Sequence, residues 1–252
     1  MTAVFTISSD RIVPDIDEVL KLQGVPEKAV NDERIIKLIN DAGMIFNELA
    51  EPSAVFREIS IPGFRKVFHG EGLNEKRTPV GDIFPVANEL ALFAVTTGRP
   101  LCERIRDLFS ENEYALALML DCYASVGTDR WADVVQEGFE SSFGTVQKKG
   151  DECAVMRFSP GYCGWHISGQ KKLFDYLEAS KIGISLNPSF MMDPVKSISA
   201  VIITAPYAHF DFRDDYAFCA SCRDHACRKR LSTLNRRRRD AGLFEETEHA
   251  DT

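Results

Sequence analysis

Apolar residues at Ile35, Ile36, Leu38, Ile39, Met44, Ile45 and Leu49 recur at the spacing of one helical face, which predicts a helix over residues 33–49. Segments 4–8 and 54–61 cluster or alternate apolar residues as short strands do. Residues 89–97 are almost continuously apolar, as in a strand buried on both faces, and Gly98-Arg99-Pro100 ends the run. A helix is expected at 101–108. The longest helical pattern runs over 111–139, with Leu116, Leu118, Met119, Leu120 and Cys122 early and Trp131, Val134, Val135 and Phe139 late. Ala124, Ser125 and Gly127 interrupt its middle, so either another backbone comes close there or the helix breaks in two. A strand at 153–158, a helix at 169–179 and strands at 181–186 and 197–205 complete the pattern, the last strongly β-branched. Residues 71–85, rich in Gly, Pro and charge, read as an exposed loop, and the short acidic tail 245–252 as disordered.

Strands and helices alternate irregularly, and no glycine-rich phosphate loop follows a strand. The expectation is therefore an α+β fold with a mainly antiparallel, twisted sheet and flanking helices, not a doubly wound nucleotide fold. No internal repeat is present. The 252 residues, 44% hydrophobic and 27% charged, suit one large or two small globular domains. No apolar run reaches the roughly 18 residues of a membrane span, and the N-terminus lacks a secretory pattern. A formal charge of −8 argues against a general nucleic-acid binder. Seven cysteines without an export signal point to a reduced, cytoplasmic setting.

Candidate chemistry concentrates in Arg157-Phe158-Ser159-Pro160-Gly161-Tyr162. Pro160 removes a backbone donor and holds Ser159 extended, while Gly161 permits a sharp turn or a close ligand. Arg157 supplies a rigid fork of donors for a carboxylate, and Tyr162 a ring face with a polar tip. Together these residues suit a small zwitterion. On residue chemistry alone, the segment also reads as a strand ending in a turn with a surface arginine.

Arg-x-x-Pro-Gly-Tyr, a helix, Ile182-Gly183-Ile184-Ser185-Leu186 and Ser189-Phe190-Met191-Met192-x-Pro194-x-Lys196-Ser197-Ile198-Ser199 follow in order. This series resembles the activation domain of cobalamin-dependent methionine synthase, and its stand-alone versions most closely. The strong part of the resemblance covers residues 129–205. It implies that Arg157 pairs with the methionyl carboxylate of S-adenosylmethionine, that Ser159 and Gly161 offer backbone groups, and that Tyr162 lines the pocket. Asp133 falls at an acidic ligand-binding position, as Asp where the synthase has Glu. Ser197 and Ser199 face one side of a strand, Ala200 replaces a glycine, and Phe210 falls near an aromatic bordering the ligand. The implied activity is S-adenosylmethionine-dependent remethylation of a reduced corrinoid, by positioning and with no catalytic side chain. The chain lacks the Asp-x-His-x-x-Gly pattern that supplies cobalt's lower ligand, so the cobalamin is expected on a partner. That partner is a corrinoid protein or a methionine synthase without its own activation domain, served by a flavodoxin-like or other electron donor. His166, close behind Tyr162, reads either as a contact to that partner or as a surface histidine.

Cys219-x-x-Cys222-x-x-His225-x-Cys227 forms a second feature, absent from the synthase domain, and divides the chain into a domain at 1–215 and an extension at 216–252. Three thiolates with His225 or the distant Cys163 suit tetrahedral zinc, and three or four thiolates suit an iron–sulfur cluster. Incidental cysteines at a helix start are the bland alternative. If metal is present, the chain also reads as a redox or binding accessory protein without methyl transfer of its own. Arg236-Arg237-Arg238-Arg239 reads as a solvated helix face or a docking patch for an acidic partner.

Overall fold

The computed structural model describes residues 2–144, 153–210 and 216–222, together with 227, 230–232, 234 and 236. Five strands form one sheet: β1 (Ala3–Thr6), β2 (Ser53–Glu58), β3 (Glu89–Thr96), β4 (Cys153–Phe158) and β7 (Ser197–Pro206). Their order is β1-β2-β3-β7-β4 and every neighbouring pair is antiparallel. Two short strands, β5 (Ser185–Leu186) and β6 (Met192–Asp193), make a separate ribbon. The expected mix of helices with an antiparallel sheet is what the chain adopts.

Helices cover both faces of the sheet. On one face α3 (Ile61–His69), α4 (Pro79–Ile83) and α7 (Gly169–Leu177) bury Leu90, Leu92, Met156, Phe158, Val201 and Ile203. On the other, α1 (Ile16–Gln23), α2 (Glu33–Leu49), α5 (Arg99–Ser110) and α6 (Tyr114–Gly144) bury Ala91, Phe93, Val95, Ala200 and Ile202. Central strands β3 and β7 are thus apolar on both sides, which is why their sequences show no alternation.

The interruption in the longest helix resolves in favour of close approach, because α6 runs unbroken through Gly127. A Cβ at Gly127 would lie 2.6 Å from Phe46 Cζ and 3.4 Å from the Ile12 carbonyl oxygen. A glycine here lets the α2 ring and the chain before α1 seat against α6.

Three expectations are corrected. The 71–85 segment is not simply loop: Thr78 caps α4 by accepting from the Gly81 N–H, Pro79 opens the helix, and Val80 and Ile83 are buried. The strand expected over 54–61 ends at Glu58, since Ser60 accepts from the Gly63 N–H and caps α3, whose first turn holds Pro62. The strand expected at 181–186 shrinks to Ser185–Leu186, because Glu178 and Gly183, at φ +58° and +73°, flank a 3-10 turn over Ala179–Ile182.

Candidate functional site

Arg157 closes strand β4 on the α6 face, with Val155, and only 9% of it is exposed. Its Nη1 donates to Asp133 Oδ1 at 2.6 Å and to Gln136 Oε1 at 3.1 Å. Asp133 and Gln136 stand three residues apart on α6, one helical turn, so both reach the same guanidinium. The helix is anchored beside them by Trp131, fully buried, whose indole N–H donates to the Ser53 carbonyl at 3.0 Å while Phe5 meets the ring edge to face. The carboxylate is half exposed, at 46%, so the pair points from the interior towards solvent. Asp129, one turn earlier, is exposed but has enough protein around it for desolvation to push its carboxyl up. Arg157 opposes that shift and Asp133 adds to it.

The chain then turns sharply. Gly161 lies at φ +92°, Cys163 at +52° and Gly164 at +74°. The Gly161 N–H donates to the Trp165 carbonyl at 2.7 Å, and the Tyr162 N–H to the Ser159 carbonyl at 3.2 Å. The turn is therefore braced internally, with Pro160 buried beneath it and Tyr162 51% exposed at its tip. His166 is fixed behind it: its N–H donates to Asn74 Oδ1, and its Nδ1 accepts from the Ser168 N–H. The latter bond leaves the proton of a neutral ring on Nε2.

The other candidates do not share the arginine's surface. Ser197 and Ser199 do face one side, with Val201 and Ile203, but it is the opposite side of the sheet from Arg157. Ser197 donates to the Pro194 carbonyl at 2.7 Å, and Ser199, 2% exposed, to Gln170 Oε1 at 3.2 Å. Phe210 is buried in the core between the sheet and α3, α4 and α7. Lys196, read only as part of a motif, holds β7 to α6: its Nζ donates to Asp121 Oδ1 and Ser125 Oγ at 2.8 and 2.7 Å.

A cavity of about 800 Å³ opens on the α3 side, lined by Phe68, His69, Asn74, Glu75 and Phe84 among others. It touches the back of the 160–168 turn through Asn74 and Glu75, whereas Arg157 and Asp133 do not line it. No group of three or more His, Cys, Asp or Glu forms a metal-ligand set among the described residues. His225 and Arg237, Arg238 and Arg239 lie outside those residues. Cys163, partly buried in the turn, is hydrogen-bonded to Cys227; that bond first, then burial and the charge of Cys227, push its thiol far up.

These features define an α+β domain whose sheet ends in a buried arginine, paired to a long helix and followed by a Pro-Gly turn. The chain belongs to the family described as the vitamin B12 dependent methionine synthase activation domain, whose sequence profile matches residues 84–230. Among solved structures, its fold is similar to the crystal structure of the MetH reactivation domain bound to AdoHcy. The TM-score is 0.59 at 16% identity, over 94% of this chain and 88% of that one. No curated protein sequence matches the chain.

Proposed function

We propose that this protein binds S-adenosylmethionine at Arg157 and helps to remethylate a reduced corrinoid carried by a partner protein. The observation carrying the reading is the Arg157–Asp133–Gln136 cluster at the head of the Pro160-Gly161-Tyr162 turn. An arginine held by a half-exposed carboxylate complements an α-amino acid: the ligand carboxylate meets the guanidinium and its ammonium meets Asp133. Family membership supports the same ligand class, as does the AdoHcy bound by the similar reactivation domain. Ser159 and Gly161 supply the backbone rim and Tyr162 the outer wall. Ser197, Ser199 and Phe210 support the pocket from behind the sheet.

One electron from a flavodoxin-like donor takes the partner's cob(II)alamin to cob(I)alamin. The cobalt electron pair then attacks the sulfonium methyl, so that a Co–C bond forms, the S–C bond breaks and neutral S-adenosylhomocysteine leaves. No proton moves, and the chain's part is to orient the methyl group and exclude water. The partner is a corrinoid protein such as a methionine synthase without an activation domain, in the cytoplasm. Among the described residues no helix is long and apolar enough to cross a membrane.

Equilibrium dialysis with labelled S-adenosylmethionine tests the reading. Saturable binding is expected, weakened by Arg157→Ala about 10- to 100-fold, the worth of a charge-assisted pair of hydrogen bonds. Absence of saturable binding, alone and with the corrinoid partner, would overturn it.

A further inference from the structure

The cavity beside α3 is built from residues outside the Arg157 cluster. Three basic side chains of α3 line it: Arg65 and Lys66 each lie one helical turn before His69. Glu75 is the one acid among the described residues that line it. None of these four side chains is in an ion pair with a described residue. On a chain of formal charge −8, three basic groups facing one acid reverse the sign locally.

The apolar part of the lining is aromatic and held in place. Phe68 and Phe84 meet at 5.5 Å with their planes 52° apart, and the buried Phe64 meets Phe84 edge to face at 5.3 Å. Arg65 lies over the Phe84 ring at 6.0 Å, so a cation already stands beside a ring face. Asn74 is tied at both ends of its amide. Its Nδ2 donates to the Phe68 carbonyl at 2.6 Å, and its Oδ1 accepts from the His166 N–H at 2.9 Å. The Glu75 N–H donates to the Gly164 carbonyl at 2.9 Å. The walls are therefore fixed by the protein itself, and about 800 Å³ lies in the size range of small-molecule sites.

We infer that this cavity is a second ligand site, for an aromatic ring carrying a negative charge, the chemistry shared by nucleoside monophosphates and aromatic carboxylates. The ring packs on Phe68 and Phe84, and the anion meets Arg65, Lys66 and His69, which are exposed at the rim. S-adenosylmethionine has the wrong sign for this site, because its sulfonium and ammonium outnumber its carboxylate. The inference therefore stands apart from S-adenosylmethionine binding: either can fail without the other.

Isothermal titration calorimetry of the full chain tests it with adenosine 5′-monophosphate and with 1-naphthoate. Each anion is paired with a probe lacking the charge (adenosine, 1-naphthalenemethanol) and with one lacking the ring (ribose 5-phosphate, acetate). The expected result is a single site per chain for at least one anion, at least tenfold tighter than both of its paired probes. Which anion binds tells phosphate from carboxylate. The double substitution Arg65→Ala/Lys66→Ala should weaken that anion at least tenfold, as loss of charge-assisted hydrogen bonds does. Both side chains are exposed, and circular dichroism checks that the variant folds. Saturating S-adenosylmethionine should not displace the anion. No single-site binding of either anion, unchanged affinity in the double variant, equal binding of an uncharged or ringless probe, or competitive displacement by S-adenosylmethionine would overturn the inference.

Discussion

Arg157 uses a single nitrogen, Nη1, to bond both Asp133 and Gln136, and its partner Asp133 keeps nearly half of its surface in solvent. The asymmetry sets what substitution should do. Asp133→Asn keeps the shape but leaves a buried guanidinium without its counter-charge, which should cost about 1–3 kcal/mol in urea unfolding. If the carboxylate also meets the ligand ammonium, an analogue lacking the α-amino group should bind wild type and Asp133→Asn with equal affinity. S-adenosylmethionine itself should lose affinity in the variant; if both ligands lost equally, Asp133 would serve only to orient Arg157. Asp129 gives a stability prediction with a fixed sign. Its carboxyl is raised in the folded state, so it contributes most when protonated and that contribution is lost as pH climbs above the ordinary carboxylate range. Asp129→Asn should therefore raise the melting temperature at neutral pH, with the gain shrinking towards pH 4 (about the ordinary Asp pKa). A gain that grew in acid would contradict the assignment. Asp133 and Arg157 were accessible from sequence through the family motif. Gln136 was not singled out, although its place three residues after Asp133 was a readable signal of a shared helix face.

Helix α6 carries the site because it can lie close to α2, and Gly127 is the residue that permits this. Gly127→Val should destabilise by about 1–3 kcal/mol through overpacking against Phe46, with part of the loss restored in the Phe46→Leu background; additive effects would contradict the contact. Elements of strong internal periodicity were legible from sequence: α2 occupies the expected 33–49, and β3 and β7 fall within a residue of their expected bounds. The failures share a cause. α4 was hidden because its evidence is a cap, Thr78-Pro79, with only two large apolar residues, Val80 and Ile83, rather than a periodic stripe. Residues 181–186 look strand-like by composition, yet left-handed Glu178 and Gly183 wind most of them into a turn. The serines of β7 share a face as expected from strand alternation, but alternation within one strand does not reveal which face Arg157 takes on the strand next to it. That depends on register, Arg157 opposite Ile202, which local sequence does not encode.

At the scale of the molecule, the open matter is whether the C-terminal segment is an accessory or part of the domain. Sequence set a boundary after residue 215, where the cysteine-rich composition begins. The family profile continues to residue 230, beyond that boundary. Tyr216, 5% exposed, and Leu234, 9% exposed, lie in the same core as Phe64, Phe158 and Trp165, with Phe218 and Leu231 packed against it. Tyr216 also donates to Asp82 Oδ2 of α4 at 3.0 Å, and Arg77 stacks over its ring. Burying one side chain of this size contributes about 1.5–3 kcal/mol, so two fully buried ones contribute about 3–6 kcal/mol before the cost of ordering the chain. A chain ending at residue 215 should therefore lose at least about 2 kcal/mol in urea unfolding and bind a hydrophobic dye. Tyr216→Ala and Leu234→Ala in the full chain should each reproduce part of the loss. An unchanged melting curve for the shortened chain would make the segment an appendage. A loss in the shortened chain that each substitution reproduces in part would make Tyr216 and Leu234 working parts of the core behind the Tyr162 turn.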